Sequence, residues 1–169
     1  RLTVANSTFA RNSAGYGGGG IHNDYKLNLY NSILWRNDGG ELGDWDDIHA
    51  LSNLIGVAPG FVRDPSDGGD GWGDDPSTPE IDESANDDYG DLRLTPQSAA
   101  VDLGDNNAAV DADGNPLETD LDGNSRIYGA AVDCGAFELQ EAAAAGRETP
   151  SLTVTTSDDA FDLYDGQVS

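Results

Sequence analysis

Apolar and polar residues alternate in two matching segments near the start of the chain, residues 2–12 and 27–37. The same residue types recur at a constant offset of 25 residues, as from Leu2 to Leu27. Alternation with a period of two is typical of a strand, and apolar residues at helical spacing are absent. A fixed offset of this size indicates stacked repeats. The pattern predicts an all-β fold, a parallel β-helix in which each repeat is one coil of a solenoid, with no substantial helix.

Equivalent side chains of such coils stack along the axis of the solenoid. Asn6 over Asn31 is then one rung of an amide ladder, in which each amide gives and takes one hydrogen bond. Phe9 over Leu34 is an inward apolar stack. The alternative is two unrelated strands of similar sequence, but six matching positions without a gap favour the repeat.

A third coil is predicted at residues 48–56, with a different spacing. Asn53 lies 22 residues after Asn31, so the sequence defines this register less well than that of the first two coils. Residues 57–62 are expected to close the coil with Phe61 pointing inward. We therefore assign residues 1–62 to β-helix coils.

Two short motifs in the first coil carry a resemblance to a known family. The sequence FARN at residues 9–12, followed by GGGI at 18–21, is similar to the paired F-x-x-N and G-G-x-I motifs of polymorphic outer-membrane protein repeats. The resemblance implies a right-handed β-helix of the kind found in surface proteins. A phosphate-binding loop is the competing interpretation of the glycines, but no Lys-Ser/Thr pair follows them.

A second resemblance covers residues 92–139, which we assign to a last coil and a cap. The sequence LRLTPQSAAVDLG begins at residue 92, a D-x-x-G-x-x-R motif at 120 and DCGAFE at 133. Together they are similar to the choice-of-anchor Q domain, which closes β-helix regions of bacterial surface proteins. Two residues depart from its pattern, since Ala99 stands in place of Pro and Cys134 in place of Ile. Both replacements are small or apolar, so the fold is expected to survive them.

Acidic residues in this region lie among apolar neighbours, where an unpaired charge is costly. Arg126 is the only basic residue between positions 94 and 146. We predict that Arg126 pairs with one or more of these acids and so ties the cap together. The predicted structural residues of the coils and cap are Asn6, Asn31, Asp102, Asp120, Arg126, Asp133 and Glu138. The alternative for the acids is a carboxylate pair for glycoside hydrolysis, or a lyase site that uses calcium and a basic residue. The scarcity of bases favours the structural role.

The charge of the chain restricts its partners. Its 169 residues carry 32 acidic and 8 basic side chains, a formal net charge of −24. Nucleic acids and anionic membrane surfaces are therefore not expected as partners, because both are bound through Lys and Arg. An apolar run of membrane-spanning length is also absent, so no membrane insertion is expected of this segment. The single cysteine, Cys134, is expected to be a small core residue.

Residues 63–91 form an acidic loop rich in Gly and Pro. Short acidic side chains supply the oxygen ligands that Ca²⁺ prefers, although the spacing does not match an EF-hand. The candidate calcium ligands are Asp67, Asp70, Asp74, Asp75, Asp87 and Asp88. A solvated acidic loop without metal is the alternative. Trp72 and Tyr89 either pin this loop to the solenoid or offer a flat face to a sugar.

The end of the chain predicts a junction between modules. Residues 140–150 have the composition of a linker. Residues 151–169 resemble the truncated opening of a further β-helix module of the CSLREA type, which implies that the chain is continuous with further β-helix modules.

These features predict a non-enzymatic structural or adhesive module of a large secreted or cell-surface bacterial protein, stabilised by calcium. Surface glycans or other surface proteins are its expected partners. The alternative is a fragment of a β-helix polysaccharide lyase or glycoside hydrolase.

Overall fold

The computed structural model describes residues 1–15, 17–43, 47–73 and 75–141. In these ranges the chain is all-β, with ten short strands and two short 3₁₀ segments, Glu83–Asn86 and Asn106–Ala108. The strands are β1 (Leu2–Ala5), β2 (Thr8–Ala10), β3 (Ile21–His22), β4 (Leu27–Tyr30), β5 (Ile33–Trp35), β6 (Leu42–Gly43), β7 (Ile48–Leu51), β8 (Leu54–Ile55), β9 (Phe61–Arg63) and β10 (Asp91–Leu94). A search of the described part of the chain finds no helix long and apolar enough to cross a membrane.

Eight of these strands form three parallel sheets. The strand orders are β1-β4-β7, β2-β5-β8 and β3-β6. Leu2 pairs with Leu27, and Leu27 pairs in turn with Ile48. The parallel pairing predicted from the 25-residue repeat is confirmed. We call residues 2–22, 27–43 and 48–55 the first, second and third repeats.

The third repeat follows at a shorter spacing than the first two suggest. Tyr30 pairs with Leu51 and Ile33 with Leu54, an offset of 21 residues. Ser52 therefore occupies the position equivalent to Asn31, and Asn53 lies one position further on. The 22-residue separation of the asparagines is not the register, because the apolar residues of β7 and β8 fix it.

Four additional residues explain the longer first repeat. Ser13 pairs with Asp38, 25 residues later, whereas Ile21 pairs with Leu42, 21 residues later. The connection between Ser13 and Ile21 is glycine-rich because two chain segments almost touch there. A Cβ atom on Gly19 would lie 1.8 Å from the carbonyl oxygen of Asp38. Only glycine allows so close a backbone approach.

A left-handed residue marks the corner between the first two strands of each repeat. Asn6, Asn31 and Ser52 have φ values of 49°, 48° and 55°. Asparagine tolerates this conformation better than most residues with a side chain, because its short polar group can bond locally. The same corner recurs in three repeats and so keeps their strands in register.

The strands bury side chains on both faces of the β2-β5-β8 sheet. Leu34 belongs to one apolar cluster, together with Leu29 of β4, whereas Ile33 and Trp35 belong to a second. This division follows from the strand, in which successive side chains point to opposite faces. The second cluster is completed from outside the repeats, mainly by residues of 61–101 and by Cys134.

Residues 92–139 differ from the predicted last coil. Strand β10 pairs antiparallel with β9, so it does not extend the parallel stack. The rest of the region lies along the side of the repeats. Ala136 N–H bonds the hydroxyl of Thr8, Gly135 N–H bonds the carbonyl of Asn31, and Cys134 Sγ lies 3.1 Å from the carbonyl oxygen of Ser52. The region thus touches all three repeats, and we call residues 98–139 the covering segment.

Candidate functional site

Asn31 joins two repeats to the covering segment. Its Nδ2 donates to Asn6 Oδ1 at 3.2 Å and to the carbonyl oxygen of Asp105 at 3.0 Å. Its Oδ1 accepts from Asp105 N–H at 2.7 Å. The side chain of Asn31 is fully buried. The rung between Asn6 and Asn31 therefore ends on a backbone group of the covering segment rather than on a third asparagine.

Arg126 is a second link between the covering segment and the first repeat. It is 2% exposed, and its Nη1 lies 3.7 Å from Oε2 of Glu138. Its Nη2 donates to the carbonyl oxygens of Asp133 and Gly135 at 3.0 and 2.8 Å, and to Asn6 Oδ1 at 3.3 Å. One guanidinium group thus ties the end of the covering segment to the corner of the first repeat.

Glu138 and Asp133 are also buried, and each binds two backbone N–H groups. Glu138 accepts from Tyr128 at 2.8 Å and from Asp133 at 2.9 Å. Asp133 accepts from Asp102 at 2.7 Å and from Leu139 at 2.8 Å. These bonds fix how three parts of the covering segment turn around Arg126.

Asp120 and Asp102 act in the same way nearer the surface. Asp120 accepts from Asn124 N–H at 2.8 Å and from Glu138 N–H at 3.0 Å. Oδ1 of Asp102 accepts from the N–H groups of residues 130 and 131 at 2.9 and 3.0 Å. The structure therefore brings Asp120, Asp133 and Glu138 together around Arg126, while Asp102 holds an adjoining turn. We call Arg126, Asp120, Asp133 and Glu138 the ionic cluster.

Burial dominates the protonation of the ionic cluster. It raises the pKa of Glu138 to about 7, against the opposing effect of the two N–H bonds and of Arg126. Burial likewise raises the pKa of Asp133 and lowers the pKa of Arg126. The thiol of Cys134, next in sequence, has its pKa raised to about 12, so it is an inert core group rather than a nucleophile.

The geometry of these acids does not suit general acid–base catalysis. The side chain of Glu138 has no exposed surface. A catalytic acid must reach the oxygen of the bond it cleaves. Both oxygens of Glu138 and of Asp133 already bind backbone N–H groups. The cluster holds the covering segment in shape.

The candidate calcium ligands are spread along the acidic loop. Asp67, Asp75 and Asp87 each accept an N–H group of the loop, Asp70 accepts from Asn86 and Asp88 pairs with Arg63 at 2.7 Å, whereas Asp74 lies outside the described residues. No group of three or more acidic, His or Cys side chains suited to a metal ion occurs in the ranges that the structure describes.

Trp72 and Tyr89 lie against each other beside a groove. Their rings stack with centroids 5.5 Å apart and planes inclined by 16°. They line an open groove of about 830 Å³ together with Thr8 and Ala10 of β2 and residues of the first two repeats. The sequence predicted an aromatic contact in this loop but not the groove. The signal was present, because the 25-residue offset places Ala10 opposite Trp35.

Comparison of the chain with protein-family models, with curated proteins and with solved structures finds no match. A functional assignment therefore depends on the geometry of the chain itself.

Proposed function

We propose that this chain is a non-enzymatic structural and adhesive module in which three coils of a right-handed parallel β-helix are held by a lateral covering segment. The parallel pairing of three repeats supports the solenoid. Handedness follows from the general rule that crossovers between parallel strands of one sheet are right-handed in about 98% of cases.

The observation that carries the structural role is the use made of the buried acids. Glu138 and Asp133 bind four backbone N–H groups, and Arg126 binds carbonyl groups and Asn6. A lyase or hydrolase instead needs carboxylates that open onto a substrate groove. The ionic cluster fixes the backbone and leaves no carboxylate of Glu138 free for a substrate.

A secreted or cell-surface location is part of this proposal. Its support is the resemblance of FARN and GGGI to outer-membrane protein repeats and of residues 92–139 to the choice-of-anchor Q domain. The formal charge of −24 suits a surface that is kept soluble by hydration and self-repulsion.

The test is to incubate the full chain with oligogalacturonate and with neutral polysaccharides and to measure new reducing ends and unsaturated products. We expect no turnover. Turnover that Glu138→Gln abolishes, in a variant that still folds, would overturn the structural role and favour the enzymatic alternative.

Calcium stabilisation of the acidic loop is a separate part of the proposal. Asp67, Asp70, Asp75, Asp87 and Asp88 bring several carboxylates into one loop, and Oδ1 of Asp87 is buried without a hydrogen-bond partner in the described structure. Ca²⁺ favours such oxygen ligands. We expect a higher melting temperature in CaCl₂ than in EDTA, with NaCl of equal ionic strength as the control. An unchanged melting temperature would remove calcium from the proposal.

A further inference from the structure

The groove exists because a small residue stands where the next repeat has a large one. Ala10 and Trp35 are directly paired in the β2-β5 ladder. Trp35 is buried against Phe61, with ring centroids 6.0 Å apart. Ala10 fills no equivalent space, so the surface beside Thr8 and Ala10 remains open to a depth that the acidic loop surrounds. The volume left is about 830 Å³.

One wall of the groove is aromatic. Trp72 and Tyr89 come from opposite ends of the acidic loop and stack on each other, which gives a flat apolar surface. Tyr89 is 76% exposed. A stacked aromatic surface in a polar loop is suited to the apolar face of a ring-shaped ligand.

The opposite wall carries two arginines from equivalent positions of consecutive repeats. Arg11 follows Ala10, Arg36 follows Trp35, and both line the groove. Nε of Arg11 donates to the carbonyl oxygen of Pro65 at 3.2 Å, and the guanidinium of Arg36 lies 4.6 Å from the Trp35 ring centroid. Neither arginine forms an ion pair with a residue that the structure describes. Their terminal N–H groups are thus oriented without being consumed.

This arrangement is unfavourable for folding alone. Arg11 and Arg36 have φ values of 60° and 54°, a left-handed conformation that is strained for residues with long side chains. Like charges at neighbouring positions of a ladder also repel. Backbone strain and unpaired like charges that persist together at a groove indicate a binding role.

The charges that line the groove are balanced. Asp38 and Asp67 are opposite in sign to the two arginines and also line it. Each aspartate uses Oδ1 for a nearby N–H group, that of Gly39 or of Gly69. Donors and acceptors beside an aromatic surface, with no net charge, fit a neutral ring that carries hydroxyl groups. An anionic polymer would also meet the −24 charge of the whole chain.

We propose that the groove formed by Ala10, Arg11, Arg36, Trp72 and Tyr89 is a binding site for a neutral pyranose unit of a glycan. The sugar ring stacks on the aromatic wall, and its hydroxyl groups bond the arginines and aspartates. This inference rests on the adhesive part of the proposed function and names its ligand class.

The test is isothermal titration of the full chain with cellopentaose, mannopentaose, xylopentaose and a galactose pentasaccharide, and with oligogalacturonate of similar length. We expect at least one neutral oligosaccharide to bind more tightly than the uronate. Ala10→Trp, which fills the groove with the side chain of the next repeat, should weaken that binding at least tenfold. Trp72→Ala should do the same, whereas Ala50→Trp on the exposed part of β7 and Tyr25→Ala should leave it unchanged.

The outcomes separate this site from the proposed function. Absence of binding by all four neutral sugars, a preference for oligogalacturonate, or binding that survives Ala10→Trp would each overturn the site while the structural role stands. Cleavage of a bound neutral sugar would support the site and overturn the non-enzymatic role. Circular dichroism and melting temperature of each variant, matched to the unmodified chain, confirm that lost binding is not lost folding.

Discussion

The repeats and the covering segment satisfy their buried polar groups in opposite ways. In the repeats these groups are neutral, and each finds its partner one repeat further along, as Asn31 does with Asn6 and Ser32 with Asn53. In the covering segment they are charged, and the carboxylates of Asp133 and Glu138 bind backbone N–H groups. A repeated sequence supplies a matching partner for a neutral side chain automatically.

A segment without repeats has no such partner and no continuous ladder. Its backbone N–H groups still need acceptors when they are buried. Carboxylates can accept several N–H groups at once, which explains why the folded covering segment concentrates buried acids. The cost is a set of desolvated charges that only Arg126 counters, so the stability of this region depends on one residue far more than that of the repeats does.

Removal of that one residue should have the largest effect. Arg126→Ala leaves Glu138 without its counter-charge and Asn6, Asp133 and Gly135 without a donor. Breaking a buried pair in this way costs roughly 3–5 kcal/mol of unfolding free energy. Urea denaturation followed by circular dichroism measures it.

Arg93→Ala is the matched control, because Arg93 pairs with Asp91 at the surface. Its unfolding midpoint should stay close to that of the unmodified chain. Equal losses in the two variants would show that the ionic cluster contributes no more than a surface pair, and the contrast between the two regions would fail.

The pH dependence of stability should reveal the buried acid directly. The pKa of Glu138 is about 7 in the folded chain and near its ordinary value of 4.5 when unfolded. The folded state therefore binds more protons between these values, so stability falls as pH rises through this window. The loss is about 3 kcal/mol from this one group. Its stabilising contribution is complete below about pH 4.5 and is gone above about pH 7.

Glu138→Gln provides the comparison, since it resembles the protonated acid at every pH. The difference in unfolding free energy between the variant and the unmodified chain should change across pH 4.5 to 7 and be constant outside it. Parallel curves would mean that Glu138 titrates normally. The cost of Arg126→Ala should also be smaller at pH 5 than at pH 8, because a protonated Glu138 needs no counter-charge.

The sequence predicted the repeats better than the covering segment for the same physical reason. Leu2 and Leu27 recur at identical spacing, and parallel pairing follows from such a repeat. The third register was harder, because the Asn-Ser order at residues 31–32 is reversed to Ser-Asn at 52–53. The apolar residues of β8 keep the register, and the polar corner adapts.

Less of the covering segment could be predicted. The alternation of Leu92 and Leu94 predicts a strand but not its direction, and β10 is antiparallel. Arg126 stood out as the only base among many acids, which was sufficient to expect a pair but not to choose Glu138. The groove required the two repeats to be compared at Ala10, where residue size rather than polarity differs.

A single rung of the repeats should matter less than the ionic cluster. Asn31→Ala removes a fully buried amide and leaves Asp105 N–H without its acceptor. A buried group left unsatisfied costs about 1–3 kcal/mol, so we expect about 2 kcal/mol by urea denaturation. Asn107→Ala, at an exposed position of the covering segment, is the control. A loss as large as that of Arg126→Ala would show that the rungs are not individually replaceable.

The smallest effect should come from the ion pair that joins β9 to the acidic loop. Arg63 and Asp88 are both substantially exposed, and Arg63 lowers the pKa of Asp88 mainly through a hydrogen bond. Exposed pairs of this kind are weakened by solvent and by salt. Arg63→Ala should therefore move the melting temperature by no more than about 2 °C, and less at high salt. A larger fall would mean that the loop stabilises the repeats beneath it. The acidic loop would then belong with the covering segment, as a second region whose charges hold neutral repeats in place.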